Sequence, residues 1–190
     1  MIFASNNQGK LKEIKSIFNE TEIISLKEAN IDIDVEENAD TFFGNALKKA
    51  KEIYALTNVP VIADDSGLCI DAFDGWPGVL THRFAGEEAT DEDRNNQLIE
   101  KLSDIENKKA QVICNLVYYD GKDVVVGEGI LNGNITNPRG NNGFGFDPIF
   151  ELENGKTLAE LSKEAKNLCS ARYLAAIDLK NKLKEKNDTN

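Results

Sequence analysis

The chain has one histidine, His82, and only one methionine and one tryptophan among its 190 residues. A single imidazole excludes any metal site that needs two, and a serine, histidine and aspartate triad would hang on His82 alone. Cysteine is nearly as scarce. Cys69, Cys114 and Cys169 are odd in number and far apart, which rules out a cysteine zinc site and fits reduced thiols better than a disulfide framework. No basic leader with an apolar core opens the chain, and no apolar run approaches a membrane span, so the expected location is the cytoplasm with no membrane partner.

Positive charge is in deficit too: 22 Lys and Arg face 33 Asp and Glu, a formal net charge of -11. That argues against a nonspecific binder of duplex nucleic acid or of anionic membrane, and no nucleic-acid partner is expected. A local phosphate site stays open, because exposed charges are screened beyond roughly 8 Å at physiological ionic strength. What is present is ordinary globular material, 41% hydrophobic and 29% charged. It is enough for one domain over 1–190, or two small lobes sharing a core, with no internal repeat and no low-complexity linker.

The periodicity predicts a short strand at Met1–Ala4, a polar turn at Ser5–Gly9, and a helix carrying Leu11, Ile14, Ile17 and Phe18. A strand near Ile23–Ser25 leads through an acidic loop, Asp32–Asp40, to a helix at 41–56, capped by Asp40 or Thr41, with Phe43, Ala46, Leu47, Ala50, Ile53 and Tyr54 inward. Val59–Ala63 reads as a buried strand that ends at Asp64, Asp65, Ser66 and Gly67, and Leu68–Ala72 continues as extended chain. Thr90 caps a helix bearing Leu98, Ile99 and Leu102, and Val112–Tyr119 with Val124–Leu131 makes a hairpin around Asp120 and Gly121. Pro148–Phe150 is strand-like. The last helix spans about 172–184 with Leu174, Ile177 and Leu183 inward, and 185–190 is expected to fray. A hairpin among strand and helix alternations makes the sheet mixed, an α/β class.

Three segments carry chemical promise. Ser5, Asn6, Asn7, Gln8, Gly9 and Lys10 place N–H groups and a lysine where a strand feeds a helix, which suits an anion, although the stretch lacks the glycine and hydroxyl of a P-loop and also reads as an asparagine-rich turn. Asp64 and Asp65 close a buried strand, where two carboxylates invite a hard cation such as Mg²⁺ with Glu36 or Glu37, or merely open a turn. Gly143, Phe144, Gly145, Phe146 and Asp147 set aromatics between glycines, either to stack a base or as a core bulge. Lys49, Arg83, Arg139, Lys166 and Arg172 are candidate clamps for phosphate or for a purine carbonyl, and His82 is a candidate ligand contact.

In this order, the segments ASNNQGK, TFFGNALKKAK, IADDSGL, GWPGV, GFGFDPIF and KNLCSAR resemble the inosine triphosphate pyrophosphatase, or Ham1-like, family over nearly the whole chain. The resemblance implies an elongated mixed sheet flanked by helices, two lobes with a central cleft, a homodimer, and Mg²⁺-dependent hydrolysis of ITP, dITP and XTP to monophosphate and pyrophosphate. It implies Ser5–Lys10 as the triphosphate loop, Asp65 as metal ligand and general base, Glu36 as second metal ligand, and Ser66 as a substrate contact. Phe144, Gly145, Phe146 and Asp147 become the base pocket, Lys166 a phosphate or base contact, and Arg172 the partner of the purine 6-oxygen. Asp64, Lys49, His82 and Arg83 stand in support.

Two positions depart from the family pattern: Gly44 replaces a glutamate, and Ala171 replaces the histidine of a Ser-His-Arg triplet. His82 is expected to supply part of the base recognition that the triplet histidine would give. The alternatives are a nucleotide-binding or regulatory homologue with weak turnover, and a pyrophosphatase for another nucleoside triphosphate.

Overall fold

The computed structural model describes residues 1–86 and 88–188. Six strands form one mixed sheet in the order β2-β1-β3-β4-β5-β6. They are β1 (Ile2–Phe3), β2 (Ile24–Ser25), β3 (Val61–Ile70), β4 (Lys109–Tyr119), β5 (Val124–Ile135) and β6 (Phe150–Glu151). β1 runs parallel to both β2 and β3, pairing Ile2 with Ile24 and with Val61, while β6 is antiparallel to β5. Among the described residues there are five α-helices: α1 (Gln8–Ile17), α2 (Phe42–Thr57), α3 (Asp91–Lys101), α4 (Lys163–Cys169) and α5 (Ala171–Asp188). No helix of the described residues is long and apolar enough to cross a membrane. The expected mixed α/β sheet is present.

Local chemistry fixes the helix starts. Asn7 caps α1 by accepting the Lys10 N–H, so the expected turn is shorter by two residues and Gln8 and Gly9 already belong to the helix. Thr41, not Asp40, caps α2 through the Gly44 N–H. Thr90 and Asp93 form a capping box at α3.

Several expectations change. β3 does not stop at the aspartates but continues to Ile70, because Leu68 and Ile70 are themselves buried strand residues. On α2, Ala46, Ala50 and Ile53 face inward as expected and are joined by Phe42 and Asn45, while Phe43 is exposed. On α5 the inward face is Ala175, Ala176 and Leu179, with Leu174 exposed. Small residues win there because β5 comes so close: a Cβ on Gly127 or Gly129 would fall on the carbonyl oxygens of Ala175 or Ala171. α5 continues to Asp188, where fraying from 185 was expected, and 189–190 lie outside the described residues. The sequence reads 86–89 as a connecting loop, and its residue 87 also lies outside the described residues.

The chain divides into two compact units. Unit 1 comprises 1–66, 114–129 and 171–190, and unit 2 comprises 67–113 and 130–170. In unit 1, Ile2, Ala46, Ala50, Ile53, Val61, Ala63 and Val117 form the core. In unit 2 the core is built on Leu68, Ile70, Leu98, Leu102, Ile135, Ile149 and Phe150. Full burial of such aliphatic and aromatic side chains contributes about 1.5–3 kcal/mol each.

Candidate active site

Adjacent residues of a strand point to opposite faces, so Asp64 and Asp65 acquire different surroundings although they are neighbours. Asp64 Oδ2 accepts from Lys10 Nζ at 3.1 Å and from Arg172 Nε at 3.0 Å, and Arg172 also pairs with Glu13 at 3.4 Å. Burial alone would raise the Asp64 pKa, but the charges of Lys10, Arg172 and Lys49 prevail and hold it well below the usual carboxylate range. Asp65 meets only neutral donors, accepting the Asn45 amide at 2.9 Å and the Ser66 N–H at 2.9 Å. Burial, aided by the negative charge of Glu37, pushes its pKa up to about 6 against the pull of Asn45, Lys49 and Ser66. Cys114 lies buried near Asp64 and burial pushes its thiol up to about 12, which excludes it as a thiolate nucleophile at neutral pH.

A cavity of about 250 Å³ opens beside Asp64, with Ser5, Asn6, Lys10, Asp34, Glu37 and Lys49 among its lining residues. Asn6 fixes the loop by accepting the Lys27 N–H at 2.9 Å, and Ser5 Oγ accepts the Asn7 N–H at 3.1 Å. Asn7, Gln8 and Gly9 serve the start of α1. Lys49 donates to Glu37 Oε1 at 2.5 Å and to the Asp64 carbonyl at 2.5 Å. Burial would lower its pKa, yet Asp64, Glu37 and Asp65 outweigh that and keep the ammonium charged.

Of the two glutamates in the acidic loop, Glu37 lines the cavity and Glu36 does not. Glu36 is exposed and its carboxylate accepts from Asn38 at 3.2 Å. Successive residues of an extended loop face opposite ways, so only one of the pair can turn inward. Asp65 and Glu37 offer carboxylate oxygens, the donor type that suits a hard divalent cation, although Lys49 holds Glu37, Asn45 holds Asp65, and only Glu37 of the two lines the cavity. No group of three or more metal-ligating side chains occurs among the described residues.

Asn45 was not singled out in the sequence, and it ties the site together. Only 1% exposed, it donates to Asp65 while its Oδ1 accepts the Ala39 N–H at 2.9 Å. Gly44 permits this approach: a Cβ there would lie 2.8 Å from the Ala39 Cβ. Glu13 was missed as well, although its place three residues after Lys10 puts both on one face of α1.

Unit 2 holds the glycine-flanked loop. Phe144 is 61% exposed, whereas Phe146 packs against the core, so neither simple alternative holds for both rings. Asp147 Oδ2 accepts the Phe144 N–H at 2.7 Å and bonds to Lys166, whose ammonium lies 4.2 Å from the Phe144 ring centroid. Gly143 has φ +85°, and a Cβ there would fall on the Asp147 carboxylate. His82 and Arg83 are exposed in the same unit, His82 near enough to Asp91 to influence its ionisation. Arg172 belongs to unit 1, where two of its nitrogens are engaged by Asp64 and Glu13. Arg139 pairs with Glu151 and Glu160.

A model of the Ham1 family matches residues 1–182. The chain belongs to the Ham1 family. Among its relatives, a Clostridium perfringens protein named dITP/XTP pyrophosphatase is 44% identical, with 96% of each chain covered. One of the same name from Clostridium tetani is 40% identical over 97% of this chain and 96% of the relative. The solved Staphylococcus aureus Ham1 protein superposes with a TM-score of 0.91 at 39% identity, covering 97% of this chain and 98% of that one. A Coxiella burnetii HAM1 protein gives 0.91 at 36% identity, covering 97% and 98%. The mixed sheet and the helix order described above are thus those of the Ham1 fold.

Proposed function

We propose that this protein is a nucleoside triphosphate pyrophosphatase that hydrolyses dITP, XTP and ITP to the monophosphate and pyrophosphate, clearing non-canonical purines from the cytoplasmic nucleotide pool. The observation that carries the reading is the division of labour between two adjacent aspartates. Asp64 anchors cations beside a lysine-edged cavity, and Asp65 faces only neutral donors. The names of the curated relatives support it.

In this reading Lys10, Lys49 and the N–H groups at the start of α1 bind the phosphates and balance the charge on the departing pyrophosphate. Asp65 accepts the proton of the water that attacks the α-phosphorus. Asp64 stays ionised and fixes Lys10 and Arg172, and Ser66 contacts substrate. Asp65 and Glu37 would hold Mg²⁺, which when bound neutralises phosphate oxygens and makes phosphorus more electrophilic. The base stacks on Phe144, and Asp147 reads its edge. Lys166 and Arg172 can only donate, which favours a 6-oxo purine over the 6-amino group of adenine. We place a homodimer in solution, checked by sedimentation equilibrium.

The test is a panel of dITP, XTP, ITP, dGTP and dATP, with Mg²⁺ and with EDTA, scoring pyrophosphate against orthophosphate. The expected result is pyrophosphate from the 6-oxo, non-canonical members, abolished by EDTA. Orthophosphate as main product overturns cleavage at the α-phosphorus. The missing carboxylate at Gly44 favours a second reading, a nucleotide-binding regulator with weak turnover, and tight dITP binding without pyrophosphate release would establish it.

A further inference from the structure

Helix α3 has no part in the chemistry above, yet two of its side chains grip the loop that carries Phe144. Asp91 and Asn95 stand four residues apart and share one helix face. Asp91 Oδ2 accepts the Gly145 N–H at 2.8 Å, and Asn95 Nδ2 donates to the Gly145 carbonyl at 3.0 Å. The other Asp91 oxygen is fixed by Arg94 at 2.7 Å, and Arg94 in turn donates to the carbonyls of Ala89 at 2.7 Å and His82 at 3.3 Å. Within the loop, Asp147 accepts the Phe144 N–H at 2.7 Å and returns its own N–H to the Phe144 carbonyl at 3.2 Å. Each backbone polar group from the Phe144 N–H to the Gly145 carbonyl is therefore engaged.

Three observations separate this grip from ordinary packing. Gly145 has φ +62° with nothing within 4 Å of a Cβ position, so the glycine serves conformation rather than space. Phe144, which the loop presents, is 61% exposed as a residue, so the core gains little from fixing it. Asn95 is 6% exposed, and its Oδ1 has no hydrogen-bond partner among the described residues. A leucine of similar size would avoid that unmet buried acceptor, yet the amide is kept and its donor end meets Gly145.

The geometry points to Asp91 and Asn95 as positioning residues for nucleobase selection: they lock the Gly145 peptide so that Phe144 and Asp147 are already arranged when the base arrives. This rests on the reading of Phe144–Asp147 as the base loop. Such preorganisation acts on binding of the base and leaves the phosphorus chemistry to Asp65 and the lysines, so its signature is in KM and selectivity rather than in kcat.

The experiment compares wild type with Asn95→Leu, Asp91→Ala and the conservative Asp91→Asn, reading amide hydrogen exchange at Gly145, steady-state kinetics on dITP and dATP, and thermal midpoint. Gly145 exchange is expected to accelerate about tenfold in Asp91→Ala and to stay near wild type in Asp91→Asn, which keeps an acceptor oxygen. In Asn95→Leu and Asp91→Ala the KM for dITP rises about five- to tenfold, with kcat within about twofold and the preference over dATP narrowed. The thermal midpoint of Asn95→Leu is not lowered, whereas a purely structural amide would lower it and leave selectivity alone. Unchanged KM and selectivity in a variant whose Gly145 exchange has accelerated overturns the proposal, as does unchanged exchange in Asp91→Ala. A wild type inert towards every 6-oxo triphosphate sinks the pyrophosphatase reading instead, and base selection falls with it.

Discussion

Asp64 in unit 1 and Asp147 in unit 2 each bind a lysine, and their settings differ. Asp64 sits mid-strand in β3, held by Lys10 and Arg172 with the sheet ladder fixing the backbone on either side. Asp147 sits on a loop that turns through Gly143 and Gly145 at positive φ, and its lysine lies over an exposed ring. A strand gives little freedom and suits charges that must stay in place during phosphate chemistry. A loop held by hydrogen bonds can exchange Lys166 for a ligand group, and suits recognition.

The largest effect that would break this contrast is at the neighbour of the strand pair. Asp65→Asn should lower turnover about 10²–10⁴-fold, with urea stability changing by no more than about 1–2 kcal/mol, because relief of the buried charge is offset by loss of one of the two acceptor oxygens that Asn45 and Ser66 use. Turnover within tenfold of wild type would remove Asp65 as the base. Next, Asp64→Ala leaves Lys10 and Arg172 without their shared anion, at about 3–5 kcal/mol of stability by urea denaturation. Gly143→Ala attacks the loop: its φ of +85° and the collision with Asp147 should cost about 1–3 kcal/mol and raise the KM for dITP. A KM equal to wild type there would detach Asp147 from base binding.

The smallest effect sharpens the contrast at the start of α3. Thr90→Ala should cost about 1 kcal/mol through loss of the cap. Its bonds to Asp93 lower that carboxyl's pKa, so their contribution is complete above the ordinary carboxylate value and fades as pH falls through the lowered folded one. An acid limb of the stability curve identical in Thr90→Ala and wild type would contradict this.

Much of this was legible in the sequence because it is local. The 3.6-residue spacing of Leu11, Ile14 and Ile17, the Thr90 capping box and the hairpin around Gly121 depend on near neighbours. The choice of Glu37 over Glu36 was not legible, for it depends on Lys49 reaching across from α2. Nor was the continuity of β3 through Asp64–Gly67: the extended chain from Leu68 was legible, but Asp-Asp-Ser-Gly has turn chemistry and only burial of Leu68 and Ile70 keeps it in the sheet. Asn45 stayed hidden because a helical asparagine four residues past its cap gives no periodic signal. Arg172 was visible as a charge, but its engagement by Asp64, 108 residues earlier, is purely tertiary.

The close approach at Gly44 also orders the mutational routes open to this protein. Installing a glutamate at 44 in one step would push on the Ala39 methyl, and Ala39 is tethered through Asn45 to the very carboxylate that the newcomer would be meant to assist. The same Cβ would lie 3.0 Å from the Thr41 oxygen that caps α2, so a designer rebuilding that acid must make room at Ala39 without losing the cap.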